Sequence, residues 1–369
     1  MTRAPLQLST IVNSSIFLAQ AMKATSVSAL QTLLKPLPIV GEQDYLFDPK
    51  NPAEGWKDGH LHWYAVGRER GNAGRIKLAG KPENPIAERT VNAMEAIIEM
   101  MRRRELLKGD SPMPASPRDA AMRYLDLPPL DQLPLWDKEI HDVKPAKYAR
   151  ELAKMIRVRL ERTAASKELA IIIEDDGIGQ APNRFHETLL SLGESDKGDK
   201  TYLIGVFGQG GSSTYAASDI SWLASRRAPD LLAGDQDGVG WTVVKRIAPK
   251  PPRRDYYYAY LAAHPDGRVP SLPAVAADTI GFTHGSRFAH LNYNFGPSRS
   301  EIARDLYQGL NHLLFNPVLP YELYTRPAPH SPDPMYGNGY RLRRLKPERK
   351  PLDKTFDPQP IFLGGGTQA

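Results

Sequence analysis

The stretch Ala170–Ser218 holds two glycine clusters whose neighbours have the chemistry of a nucleotide pocket. Asp175-Asp176-Gly177-Ile178-Gly179 follows the apolar run Ala170–Ile173, which is β-branched enough to predict a buried strand. A carboxylate therefore stands at a strand end. There Asp175 can accept a hydrogen bond from an adenine amino group, and Gly177 and Gly179, lacking side chains, would let backbone and base approach closely. Gly205-Val206-Phe207-Gly208-Gln209-Gly210-Gly211 leads into the small residues Ser212–Ala217, which can open a helix. Backbone N–H groups around Gly208–Ser212 could hold phosphate, with Lys197 or Lys200 as added charge. Other phosphate-binding loops are disfavoured: no stretch reads G-x-x-x-x-G-K-[ST], and the glycines do not have the G-x-G-x-x-G spacing of a dinucleotide site.

A helix must carry the rest of the chemistry. Between Pro85 and Leu107 an apolar stripe of Val91, Met94, Ile97, Ile98 and Met101 predicts an amphipathic helix. Its opposite face bears Glu88, Asn92, Glu95 and Glu99, so a carboxylate and an amide lie one turn apart. Taken alone, this is a solvated face. Beside a nucleotide, Asn92 offers a neutral oxygen to Mg²⁺, and Glu88 is placed to orient or deprotonate the attacking water. The run Arg102-Arg103-Arg104 suits a helix C-terminus.

Around these lie elements of framework. Pro145–Thr163 is expected to form a second helix, with Tyr148, Leu152, Met155, Ile156 and Leu160 inward, and Ser298–Phe315 a third. Strands are expected at Leu61–Val66, Arg75–Leu78, Asp219–Ser225, Gly240–Ile247, Tyr256–Ala262, Ser286–Leu291 and Leu319–Tyr324. The pattern predicts an α+β fold, a two-layer sandwich of a mixed, mainly antiparallel sheet with helices on one face. Residues 109–144 are proline-rich and read as an irregular surface insertion. His60 and His62 would share a strand face as two metal ligands do, but no nearby cluster completes a site. Tyr256-Tyr257-Tyr258 beside a basic turn invites base stacking, which alternation of strand faces explains more simply.

Composition sets the outer bounds. The 369 residues are 41% hydrophobic and 24% charged, as in a folded globular chain, and no apolar run reaches the ~20 residues that a spanning helix needs, so no membrane partner is expected. A net charge of +6 permits nucleic acid without requiring it, being small beside 48 basic and 42 acidic side chains. The absence of cysteine removes disulfides and thiolate chemistry and fits a reducing compartment, cytoplasmic or, in a eukaryote, nuclear. The first forty residues carry no acid, which could suit a transit peptide. The preferred reading is an apolar arm (Ile16, Phe17, Met22, Leu30, Leu33, Leu34) docked on the body.

With these residues in place, the chain resembles the GHKL ATPase superfamily of gyrase B, heat-shock chaperones, MutL, MORC proteins and histidine kinases. Glu88-Arg-Thr-Val-Asn92-Ala-Met-Glu95-Ala is similar to the family's E-x-x-x-N-A-x-[DE]-A helix, Asp175–Gly179 to its D-x-G-x-G turn, and Gly205–Gly211 to its lid hinge. Thr283-His-Gly285-Ser286 looks like the late G-[ST] motif, and the lid sequence Leu190–Lys197 with Ile204–Gly208 looks most like MORC and chaperone-type members. The resemblance covers about residues 60–325. It implies a Bergerat-type domain at 59–297 with an ATP lid at 180–211, after an arm and lead-in at 1–58. Residues 298–369 would be a linker and basic tail beginning a truncated transducer region. The implied site is catalytic Glu88, Mg²⁺-holding Asn92, and Asp175, Gly177, Gly179, Lys197, Gly205, Gly208, Gly210, Gly211, Ser212 and Ser286 around ATP. The implied activity is Mg²⁺-dependent ATP hydrolysis driving lid closure and homodimerisation, with the arm crossing between protomers and DNA or a protein as client. The alternatives are a histidine or serine kinase and a nucleotide-gated nucleic-acid-binding module. The chain departs from the family in the long interval between Asn92 and Asp175 and in the missing transducer lysine.

Overall fold

The computed structural model describes residues 15–40, 55–69, 71–127, 150–163, 168–192, 199–204, 210–248, 255–296, 302–314, 317–325 and 335–337. Its helices are α1 (Ser15–Lys23), α2 (Val27–Leu34), α3 (Glu83–Leu106), α4 (Pro117–Leu125), α5 (Ser213–Ala216), α6 (Ala274–Thr279) and α7 (Ile302–Leu313). The strands are β1 (His62–Ala65), β2 (Ile156–Arg162), β3 (Leu169–Asp175), β4 (Ile220–Arg226), β5 (Gly238–Ile247), β6 (Tyr257–Ala262), β7 (Ser271–Pro273), β8 (Gly285–Leu291), β9 (Tyr321–Tyr324) and β10 (Met335–Gly337). They form one ten-stranded sheet in the order β1-β6-β5-β4-β8-β3-β2-β9-β10, with β7 paired to β5. Among the pairings of these strands β2–β9 alone is parallel, and an isolated parallel bridge joins Ile39 to Leu61. The fold is α+β with a mixed, mostly antiparallel sheet.

Strand β3 lies near the middle of this sheet because its apolar residues serve both faces. Ile171 and Ile173 meet Ile86, Met94, Ile97 and Ile98 of α3 and Leu306 and Leu310 of α7. Ala170 and Ile172 belong to the opposite core, with Phe17, Leu18 and Ala21 of α1, Leu30 and Leu34 of α2, and Ala277 of α6. Phe17 stacks obliquely on Trp241 of β5 at 4.8 Å between ring centroids. Ser26 caps α2 by accepting from the Ala29 N–H at 3.2 Å, and Glu168, just before β3, accepts from the Val27 N–H at 2.9 Å.

Helices therefore cover both faces, which corrects the expectation of one helical layer. The N-terminal arm docks on its own sheet, as the preferred reading had it. Its crossing to a partner meets an obstacle, since Phe17, Leu30 and Leu34 are already buried within the chain and Met22 and Leu33 pack against the same core; Ile16 is the large apolar residue of the arm that stays exposed.

Three further elements differ from expectation. The predicted second helix is helical only at 150–153 among its described residues and becomes strand β2 from Ile156, because Ile156, Val158 and Leu160 alternate with Arg157, Arg159 and Glu161 and pair in register with β3, while 145–149 lie outside the described residues. Arg75–Leu78 is not a strand. Instead the buried Asn72 amide donates to the carbonyls of Val66 and Tyr258 at 2.9 and 2.8 Å and accepts from the Tyr258 N–H at 2.8 Å, filling the margin of β6 where β1 has ended. The 109–144 interval is not wholly irregular: α4, capped by Ser116, buries Ala120, Ala121 and Leu125 against the α3 core, while 128–144 lie outside the described residues. Tyr257 and Tyr258 are buried on alternate faces while Tyr256 stays exposed, and His62 is buried with its ring stacked on Trp56 at 3.9 Å between centroids. Among the described residues no helix is long and apolar enough to cross a membrane.

If the arm is part of the core, Leu30→Ala, which empties a fully buried position, destabilises the chain by about 2–5 kcal/mol in urea unfolding. A change below about 0.5 kcal/mol would mean that the arm folds apart from the sheet.

Candidate functional site

A cavity of about 820 Å³ opens between α3, the end of β3 and the start of β8. That volume suits a nucleotide-sized ligand. Asn92, Asp175, Gly179, Gly211, Ser212 and Ser286 line it, so residues from each of the four sequence blocks reach one space. Glu88 does not line the cavity. It sits one turn before Asn92 on α3, largely exposed, yet surrounding protein raises its carboxyl above the ordinary range while Arg89 opposes the shift. Gly210 begins the single turn Gly210–Ser212, which leads into α5. With only four residues, α5 is too short to act as the phosphate-binding helix that was expected. Lys197, Gly205 and Gly208 lie outside the described residues.

Asp175 is the electrostatic centre of the wall. It is 5% exposed, and burial pushes its carboxyl up to about 7. The N–H of Gly177, donating to Oδ1 at 3.0 Å, and a backbone donor at Ser286 pull the other way, while Asp176 adds to the rise and Arg157 subtracts from it. Asp176 itself turns outward into a two-pronged pair with Arg157 at 2.7 and 3.0 Å.

The glycines answer to the protein before any ligand. A side chain on Gly177 would start 2.6 Å from Ala96 Cβ of α3, so this residue sets how closely the helix approaches and does not itself line the cavity. Gly179, at φ +63°, would place a Cβ 1.8 Å from the carbonyl oxygen of Arg226, and Gly285, at φ +97°, one 2.0 Å from that of Asp175. The turn is stitched on both sides: Ile178 donates to Ala96 O at 2.9 Å, and Ala228 donates to Ile178 O at 2.8 Å. Ser225 accepts from the Gln180 N–H at 2.8 Å, donates to Gly285 O at 2.9 Å and lies 3.0 Å from the Ser286 hydroxyl, holding that hydroxyl beside Asp175.

The far wall is pinned to α3 by acids that the sequence shows on its polar face. Glu95 accepts from the Ile204 N–H at 2.7 Å. Glu99 accepts from Arg103 Nε at 2.7 Å, the Tyr202 hydroxyl at 2.8 Å and Lys200 Nζ at 3.2 Å. Burial alone would raise the Glu99 carboxyl, but these donors hold it below the ordinary range. Lys200 thus lines the cavity as expected, though committed to Glu99.

Three arginines of the wall escaped sequence reading: Arg89, Arg103 and Arg227. Arg103 was read as a cation at the helix end, and Arg227 lies just past the end of β4, where an arginine is ordinarily a solvated terminus. Arg227 donates to Gly179 O at 3.2 Å, and burial lowers its guanidinium. Arg89 breaks no pattern on the page. Its neighbours Thr214, Tyr215 and Phe288 come from remote strands and turns.

No model of a known protein family matches the chain, and no curated protein matches it.

The native state holds a proton on Asp175 that the unfolded chain has released, so between pH 4 and 7 it binds more protons than the unfolded state. Stability of the ligand-free chain should fall as pH rises through that window, by up to about 4 kcal/mol, and then level off. Asp175→Asn should flatten this slope in denaturant melts taken across the range. An unchanged slope would place the titration elsewhere.

Proposed function

We propose that the chain is a GHKL-type ATPase that binds ATP with Mg²⁺ and hydrolyses it. The observation that carries this reading is the convergence of Asn92, Asp175, Gly179, Gly211 and Ser286 on one nucleotide-sized cavity. Their order along the chain and their placement on a helix, a strand end, a glycine turn and the start of a late strand fit the Bergerat arrangement.

At the closed end Asp175, ionised, accepts from the adenine amino group, with the Ser286 hydroxyl alongside. Asn92 faces the phosphate side with a neutral oxygen. Among the described residues no three acidic or histidine groups gather as a metal cage, so Mg²⁺ would be held by Asn92 together with phosphate oxygens and water, the habit of this hard ion. When bound, the ion supplies charge neutralisation on the phosphates. Glu88 does not line the cavity, so its assignment as the group that orients the attacking water and receives its proton rests on its place one turn before Asn92 and on its raised carboxyl, which suits a base working near neutral pH. The pins from Glu95 and Glu99 to residues 200–204 would hold the wall of the cavity closed around the ligand.

Three measurements test the reading. Glu88→Gln should retain ATP affinity and lose steady-state hydrolysis by at least about a hundredfold, as expected for a general base; unchanged turnover would remove Glu88 from the chemistry. Asp175→Ala should weaken ATP and adenosine together, by about 1–3 kcal/mol for the lost acceptor. Because a donor from the base favours the carboxylate, nucleotide binding near pH 7 should expel a fraction of a proton, visible as a calorimetric heat that varies with the buffer's ionisation enthalpy. A heat independent of buffer, in a chain that does bind ATP, would dissociate Asp175 from the base.

A further inference from the structure

Arg89 is a buried cation in the cavity wall that no carboxylate of the described residues pairs with. It is 6% exposed and lines the cavity. Among the described residues it forms no ion pair. Its polar contact is the Thr214 hydroxyl, 3.4 Å from both Nε and Nη2 and itself donating to Gly211 O at 2.7 Å. The guanidinium otherwise rests on aromatic faces, 4.3 Å from the centroid of Phe288 and 5.3 Å from that of Tyr215. Nη1 makes no hydrogen bond among the described residues and stands at Gly211, where a Cβ would meet it at 2.8 Å.

The other cations of the wall are differently placed. Arg103 and Lys200 share Glu99. Arg227 is only partly buried and has the Gly179 carbonyl. Withdrawing a guanidinium from water is costly, and two aromatic faces return only part of that cost. A long hydroxyl contact returns little more. Among the described residues no ion pair offsets the rest, and an anion entering the cavity would do so. Glu88, the adjacent carboxylate, is exposed and acts on Arg89 through space, without an ion pair between them among the described residues. The planar fork of arginine matches the oxygens of phosphate, and Arg89 stands one turn before Asn92 and against the Gly211 backbone.

We infer that Arg89 is a polyphosphate-binding residue of the cavity, its guanidinium taking the non-bridging oxygens of a di- or triphosphate chain at the Gly211–Ser212 end. This rests on the ATP reading for the identity of the ligand, but the anion site itself can be probed without a base. The stacked geometry on Phe288 holds the fork in place before ligand arrives, so the charge needs no reorganisation to meet phosphate. It also makes the site discriminate by phosphate number: AMP and adenosine would leave Arg89 as unmatched as it is in the empty cavity.

The test titrates the whole chain with inorganic tripolyphosphate, adenosine, AMP and ATP in separate calorimetric experiments, for wild type, Arg89→Met and Arg89→Lys. Methionine keeps an apolar stem against Phe288 and removes the charge. Wild type should bind tripolyphosphate and should bind ATP at least tenfold tighter than adenosine. Arg89→Met should lose about 10- to 100-fold in affinity for tripolyphosphate and ATP, as loss of a charge-assisted pair implies, and less than about twofold for adenosine, with Arg89→Lys regaining part of the loss. A well-folded Arg89→Met that still binds tripolyphosphate as wild type does would overturn the assignment. So would a loss that appears on Arg227→Gln and not on Arg89→Met. If Arg89→Met does not fold, the wild-type titrations decide alone: no tripolyphosphate binding, or ATP no tighter than adenosine, sinks the inference. Tripolyphosphate bound through Arg89 with neither adenosine nor ATP bound would uphold it and overturn the ATPase reading instead.

Discussion

Backbone contact at the end of β3 is the constraint on which the site depends. Gly179 lies against the Arg226 carbonyl, Gly285 against the Asp175 carbonyl, and Gly177 against Ala96 of α3, each at a distance that no side chain would allow. Strand β4, strand β8 and the long helix are thereby drawn onto one turn. That approach buries Asp175, and the burial pushes its carboxyl up to about 7 although it stands at a strand end. It also fixes how deep α3 lies, and with it Arg89, Asn92, Glu95 and Glu99, all of which project from that helix onto the cavity.

Much of the frame was legible because its signals are local. The apolar run before Asp175, the stripe of α3 and the β-branched strands β4, β5, β6 and β8 were found within a few residues of their ends. The error at β2 has a simple cause: Leu152, Met155, Ile156 and Leu160 fit a helical stripe while Ile156, Val158 and Leu160 fit a strand, and pairing along the whole of β3 decides between them. The second helical layer was missed although Ile171-Ile172-Ile173 carried the hint, since consecutive apolar residues in a strand need cover on both faces.

Within the site, residues whose type alone suggests chemistry were found, and residues whose role comes from remote company were not. Asp175, Asn92 and Ser286 belong to the first group. Arg89 belongs to the second: on α3 it reads as one more surface cation, and only the meeting of Phe288 and Tyr215 over it takes it out of water. The glycines were recognised but for a different reason. Gly177 and Gly179 were taken as room for a ligand, whereas Ala96 and the Arg226 carbonyl already fill it, and Gly211, read as part of a phosphate-holding hinge, lies against the Arg89 guanidinium.

The buried Asn72 amide bears on how the molecule meets others of its kind. Beyond Ala259 the outer side of β6 has no neighbouring strand among the described residues, and an exposed row of N–H and C=O groups is a template on which a stray chain can add. Asn72 occupies both groups of Tyr258 at once, with the donor and acceptor of a single side chain. A strand sliding along this margin would find its next rung already taken, so one amide protects the sheet from edge-to-edge aggregation where other proteins use a charge, a bulge or a proline.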